Sequence, residues 1–186
     1  DYGNVVLSGG ETKTFMGTTT EIFGSLHVSD VIEVNGSSGI PEIRIHGNLK
    51  FGELTGLANI HAIFATNTLH TLQSPGSLWI HKITAEANST INFIAADSAG
   101  LTIGSADGGG IALRDSSVLS VGTNSIRLVE AGLINGSGEP GRISIGNGSI
   151  FLSSHAAGIS NLYFDPTHNF VDYLEVDLSG GGTAAV

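Results

Sequence analysis

The chain has 186 residues, 40% of them hydrophobic, with 27 Gly, no Cys, and 7 Lys plus Arg against 17 Asp plus Glu. That is too apolar for a disordered acidic tail and too interrupted by Gly for long helices, and the length suits one β-rich domain over residues 1–186. A net charge of −10 without basic clusters excludes nucleic acid as a partner, no apolar run reaches the roughly 20 residues of a membrane-inserted helix, and disulfides and thiolate metal sites are excluded.

From the amino end, "VVLSGG" at residues 5–10 alternates like a strand, and Val5, Val6 and Leu7 make it a candidate edge for pairing with another chain. Leu26 with Val28 and Leu49 with Phe51 follow, two apolar pairs lying 23 residues apart. An apolar residue at every second position puts two side chains on one face of a strand. "ELTGLANIHAIFATNTLHTL", residues 53–72, departs from this pattern. Its apolar positions Leu54, Leu57, Ile60, Ile63 and Phe64 suit a short helix or an irregular insertion.

From residue 77 the pattern becomes regular. Leu78 with Ile80, Leu101 with Ile103, Ile126 with Leu128, Ile150 with Leu152 and Leu174 with Val176 succeed one another at intervals of 23, 25, 24 and 24. The two upstream pairs join this series after a longer interval. Between its members fall Ile91 with Phe93 and Ile111 with Leu113, 20 apart, then Leu119 with Val121 and Ile143 with Ile145, 24 apart. The implied unit is three strands per turn. Short strands at this period, with Gly and Asn at the corners, predict an all-β parallel β-solenoid with a repeat of about 24 residues, each turn stacked about 4.8 Å from the last. A β-sandwich or jelly roll is the alternative, since regular short strands describe those folds too. Residues 1–76 read as less regular, 77–178 as the regular repeats and 179–186 as a Gly-rich tail.

Candidate sites are sparse. "GSGEPG" at residues 136–141 has the spacing of a dinucleotide fingerprint, but Pro140 and the strand "RISI" after it leave no helix to receive a pyrophosphate. The seven histidines, His27, His46, His61, His70, His81, His155 and His168, show no metal-ligand spacing, and no nucleophile-elbow motif occurs. Asp97, Asp107 and Asp115 stand near corners beside Gly or Ser, where they could hold structural calcium or simply serve turns. No other cofactor is implied. The residue inside each pair of the regular series points outward, giving the column Trp79, Thr102, Arg127, Phe151 and Glu175. It contains no paired carboxylates for glycosidic chemistry and no repeated Thr for an ice-binding array. Its aromatics, Trp79 and Phe151, could stack on surface glycans or on another subunit. Asn-x-Ser/Thr sequons at Asn35, Asn88, Asn135 and Asn147 are glycosylation candidates, and Asn-Gly turns explain such sequences equally well.

Runs such as "GSADGGGIALRDSSVLSVG" and "GRISIGNGSIFLSS" resemble the β-solenoid segments of bacterial surface adhesins and autotransporter passengers, best over residues 77–153. The resemblance is one of texture and brings no family motif, so no functional residue is carried over from it.

The expected function is structural and non-enzymatic. The chain begins at Asp1, which reads as a mature form after signal-peptide removal, and its scarce Lys beside abundant Gly, Ser, Thr and Asn points to an extracellular or cell-surface setting. A solenoid's ends expose strand edges that must be capped or paired. Both ends of this chain read as strands: "VVLSGG" at one, and "YLEVDL", with Leu174, Val176 and Leu178, at the other. A secreted homopolymer is expected, as a filament, sheath or surface-layer subunit. An adhesin or carbohydrate-binding segment of a larger surface protein is the second reading, and a polysaccharide-degrading enzyme the third.

Overall fold

The computed structural model describes residues 1–31, 33–53, 57–65, 67–96, 99–104, 109–114, 117–122 and 124–129, then the strands named below, with side chains described only as far as Ile126. It is all-β, with no helix among the described residues. The strands come in threes. The first three are β1 (Val5–Leu7), β2 (Lys13–Phe15) and β3 (Thr19–Ile22), followed by β4 (Leu26–Val28), β5 (Glu33–Gly36) and β6 (Glu42–Ile45). In the next two turns one long strand replaces the second and third of each set: β7 (Leu49–Phe51) with β8 (Leu57–Phe64), and β9 (Leu69–Gln73) with β10 (Leu78–Ala85). The triplets then resume with β11 (Thr90–Ile94), β12 (Gly100–Ile103), β13 (Gly110–Leu113), β14 (Val118–Gly122), β15 (Ser125–Val129) and β16 (Gly132–Asn135). Last come β17 (Arg142–Ile145), β18 (Ser149–Ser153), β19 (Ile159–Asn161), β20 (Tyr173–Asp177) and β21 (Thr183–Ala185).

Equivalent strands stack into columns. The first column is the ladder β1-β4-β7-β9-β11-β14-β17 and the second is β2-β5-β8-β10-β12-β15-β18-β20. A third runs β3-β6-β8-β10-β13-β16, joined to the second because β8 and β10 bend through a corner and belong to both. Adjacent strands pair in parallel throughout the described ladders, for example Val5 on Leu26 and Leu26 on Leu49. A sandwich or jelly roll needs antiparallel neighbours, so the chain is a parallel β-solenoid. In the second column the pairing Leu78, Leu101, Ile126, Ile150, Leu174 follows the sequence series position for position.

Three expectations are corrected. Leu26 with Val28 and Leu49 with Phe51 belong to the first column, not to the series of Leu78. Ile91 and Ile111 also lie in different columns: Ile91 pairs with Leu119 and Ile111 with Ile83. Residues 57–64 form the strand β8, not a helix. Its buried positions Ala58, Ile60, Ala62 and Phe64 alternate at a period of two, and the short Ala side chains that blur this pattern in the sequence fit the crowded axis between Val34 and Ile80.

The core is the column interior. Ile22, Ile45, Phe64, Ala85 and Leu113 stack one above another, as do Val34, Ala58, Ile80 and Ile103, all with no exposed surface. Corners carry their own ladder. The Asn4 side-chain oxygen accepts the Ser25 amide at 2.8 Å, Ser25 Oγ accepts the Asn48 amide at 2.9 Å, and the Asn48 side-chain oxygen accepts the Thr71 amide at 2.8 Å. Each side chain thus holds the turn above it where regular strand pairing lapses. Asp30, Asn67 and Asn88 take left-handed φ values of 56° at corners, a conformation these residue types tolerate.

Candidate functional site

Apart from Ile22, the inward positions of the first turn are less covered than those of the next turn. Val5, Leu7 and Thr20 are only half-buried, whereas their equivalents one turn on, Leu26, Val28 and Ile43, are fully buried; Phe15, in register with Gly36, is half-buried too. The cause is direct: among the described residues the outer edges of β1 and β2 have no partner strand, and that of β3 is met only by a parallel bridge from Tyr2 to Ile22. A cavity of about 550 Å³ opens there, lined by Tyr2, Val5, Leu7, Phe15, Met16 and Ile22 among others. Met16 is 83% exposed at its rim.

One inward position of this turn is charged. Lys13 is in register with Val34, so its Cβ points into the column where the next turn has a buried Val. Among the described residues Lys13 makes no ion pair. Its inward placement is invisible in the sequence until the register of β2 is known.

A second concentration of chemistry covers the outer face of the third column. Arg44 grips Glu86 with both guanidinium nitrogens, spanning two turns, and its Nε lies 3.8 Å from Glu21. Glu21 also meets His46 Nε2 at 2.8 Å, and the His46 ring packs on Phe23 with centroids 5.0 Å apart. Beside them His61 Nδ1 lies 3.3 Å from Glu42 Oε1 and Nε2 lies 2.8 Å from Thr84 Oγ1. The order carboxylate, imidazole, hydroxyl is that of a nucleophile relay. Thr84, however, is only 3% exposed, with its hydroxyl held against the His61 ring, so a substrate carbonyl has no approach to it. Burial, then Lys82, lowers His61 to a pKa of about 4 against the opposing pull of Glu42. The ring is therefore neutral at pH 7, donating from Nδ1 to the carboxylate and accepting from the Thr84 hydroxyl. This face clamps successive turns together. Members one turn apart are 19 to 25 residues apart, as in Glu42 to His61 and Glu21 to His46, and Arg44 to Glu86, across two turns, are 42 apart; that spacing was the available sequence signal.

The sequence-derived candidates are scattered over the fold. Val5, Val6 and Leu7 are β1 itself, at the open end, with Val6 64% exposed. Leu174 and Val176 lie in β20, the last strand of the second column, while Leu178 lies outside the described residues. Trp79 is 41% exposed, its Nε1 donates to the Gly104 carbonyl, and its register partners are Leu57 and Thr102. Phe151 is on the same register line, paired with Arg127. Asp97, Asp107, Asp115 and Asn147 lie outside the described residues. Asn35 is half-buried in β5 with an unpartnered side-chain oxygen, Asn88 is exposed on a turn, and Asn135 ends β16. Among the described residues no group of three or more His, Asp or Glu could hold a metal ion.

Comparison with protein-family models, curated proteins and solved structures finds no match to this chain.

Proposed function

We propose that this chain is a non-enzymatic, extracellular structural protein that assembles into filaments, sheaths or surface layers by stacking solenoids end to end. The observation that carries this reading is the first turn, where the unpaired edges of β1 and β2 and an open, largely apolar interior are offered together. A further turn laid on these edges would pair their free backbone groups and bury Val5, Leu7 and Phe15, the same physics that joins turns within the chain. A head-to-tail contact of this kind does not close on itself and so propagates.

Electron microscopy and light scattering across concentration test it, with a chelator arm for structural calcium. Ordered polymers are expected from the intact chain and dispersed monomers after deletion of residues 1–10. Monomers of the intact chain at every concentration would overturn the proposal.

The second reading, an adhesin or glycan-binding segment, is favoured by Trp79, whose bond to Gly104 fixes an exposed indole face suited to stacking on a sugar ring. A glycan array separates the two: binding lost in Trp79→Ala, without polymers, would favour it.

A further inference from the structure

The outer face of the first column stands apart from the rest of an acidic chain. None of its strands, β1, β4, β7, β9, β11, β14 or β17, contains an Asp or Glu, although the sequence has 17 of them. Over β9, β11 and β14 the outward positions form rows in register: Leu69, Thr90 and Val118, then Thr71, Asn92 and Ser120, with Gln73 beside Ile94. None of these positions is charged. Thr71, Gln73, Thr90, Asn92 and Ser120 are half-buried, and among the described residues none of their side chains is hydrogen-bonded within the chain. The Asn48 side chain accepts the Thr71 backbone amide and leaves the hydroxyl untouched. The third column is the opposite case, since its Glu21, Arg44, His46 and Glu86 engage one another. Leu69 is 66% and Ile94 49% exposed, so the rows are open on both sides.

We propose that this face binds a neutral polysaccharide, laid along the solenoid axis so that Thr71, Asn92 and Ser120 hydrogen-bond its hydroxyl groups and Leu69 and Ile94, flanking that row, pack on the apolar faces of its sugar rings. Hydroxyl and carboxamide side chains both donate and accept, which is what a ligand built of hydroxyl groups requires. The rows repeat at the strand spacing of about 4.8 Å, so a chain along the axis meets the same kind of group at each turn. An anionic ligand would find no cation within the rows. The column's Lys and Arg lie one strand beyond them, Lys50 in register with Gln73 and Arg142 in register with Val118. A second copy is too large a partner: three strands of five residues present roughly 240 Å², against about 800 Å² per partner in a stable protein interface. This site does not depend on end-to-end stacking, and it lies on a different column from Trp79.

The test is co-sedimentation of the intact chain with insoluble neutral polysaccharides, namely cellulose, chitin and curdlan, beside affinity electrophoresis through acidic alginate, each at low and high salt. Retention on at least one neutral polysaccharide is expected, unchanged by salt. Thr71→Val and Asn92→Ala are each expected to weaken it about fivefold, and together more than about tenfold. Trp79→Ala is expected to leave it unchanged. Circular dichroism verifies that each variant folds. No retention on any of the three neutral polysaccharides would overturn the proposal, as would retention that survives the double substitution or is lost in Trp79→Ala. Binding to alginate alone, fading with salt, would overturn it in favour of an acidic ligand. Ordered polymers of a chain that retains no glycan would sink this site and leave stacking intact, while a chain that stays monomeric yet binds through Thr71 and Asn92 would do the reverse.

Discussion

His61 and His70 show how far one residue type can diverge within a fold. His61 has its pKa lowered from 6.5 to about 4, chiefly by burial and by Lys82. The unfolded chain therefore binds more protons than the folded one between those values. Stability is full above pH 6.5 and falls as pH drops towards 4, by about 2 kcal/mol at pH 5. His61→Gln should remove that part of the slope, read as a smaller difference in denaturation midpoint between pH 7 and pH 5. An unchanged difference would show that His61 does not carry it. His70 instead lies fully buried in the first column, its ring nitrogens 2.6 Å from the Gly47 carbonyl and 2.9 Å from that of Ala65, with Phe64 packed on the ring. His70→Leu fills the space but removes the ring N–H donor that faces these buried carbonyls, and should cost about 1–3 kcal/mol in chemical denaturation. Neither role was legible in the sequence, where the seven histidines look alike, because each role depends on what the adjoining turns place around the ring.

At the scale of the element, strands and corners are held by different means. Strand interiors are fixed by stacked apolar side chains, and this was legible: Leu78, Leu101, Ile126, Ile150 and Leu174 pair as their spacing foretold. Corners depend on close backbone approach. A Cβ on Gly47 would lie 2.5 Å from Ser25 Oγ and 2.7 Å from the Gly24 carbonyl, so Gly47→Ala must push two turns apart and should cost about 1–3 kcal/mol. Asn48→Ala removes only the acceptor for the Thr71 amide and should cost about 1 kcal/mol. Thermal melts of the two variants check the order, and an equal loss would mean that the side-chain ladder matters as much as the packing. The strand β8 was misread because Ala58 and Ala62 hide its alternation, while Leu54, Leu57, Ile60 and Phe64 happen to share a helical period.

Over the whole molecule, each turn contacts chiefly the turns above and below it, so stability is distributed along an axis. Central strands β8 and β10 have neighbours on both sides, and β1 and β2 on one. Amide exchange of the dispersed chain should therefore be slowest in β8 and β10 and fast in β1 and β2. On assembly, β1 and β2 should become protected. Equal protection of β2 before and after assembly would place the contact elsewhere.

The sequence by itself determined the architecture, since a repeat of about 24 residues with apolar alternation and Gly or Asn corners leaves stacked parallel turns as the economical way to bury every second residue. It also determined the second-column pairs of the regular half, Leu78 through Leu174, though not the columns of Ile91 and Ile111. Only the tertiary structure decided which column each upstream pair joins, which polar residues meet across turns, and that Lys13 faces inward on an open edge. The physical reason is that alternation is a local property of the chain. Register sums every insertion at every corner, and a shift of one residue exchanges the inside of a strand for its outside.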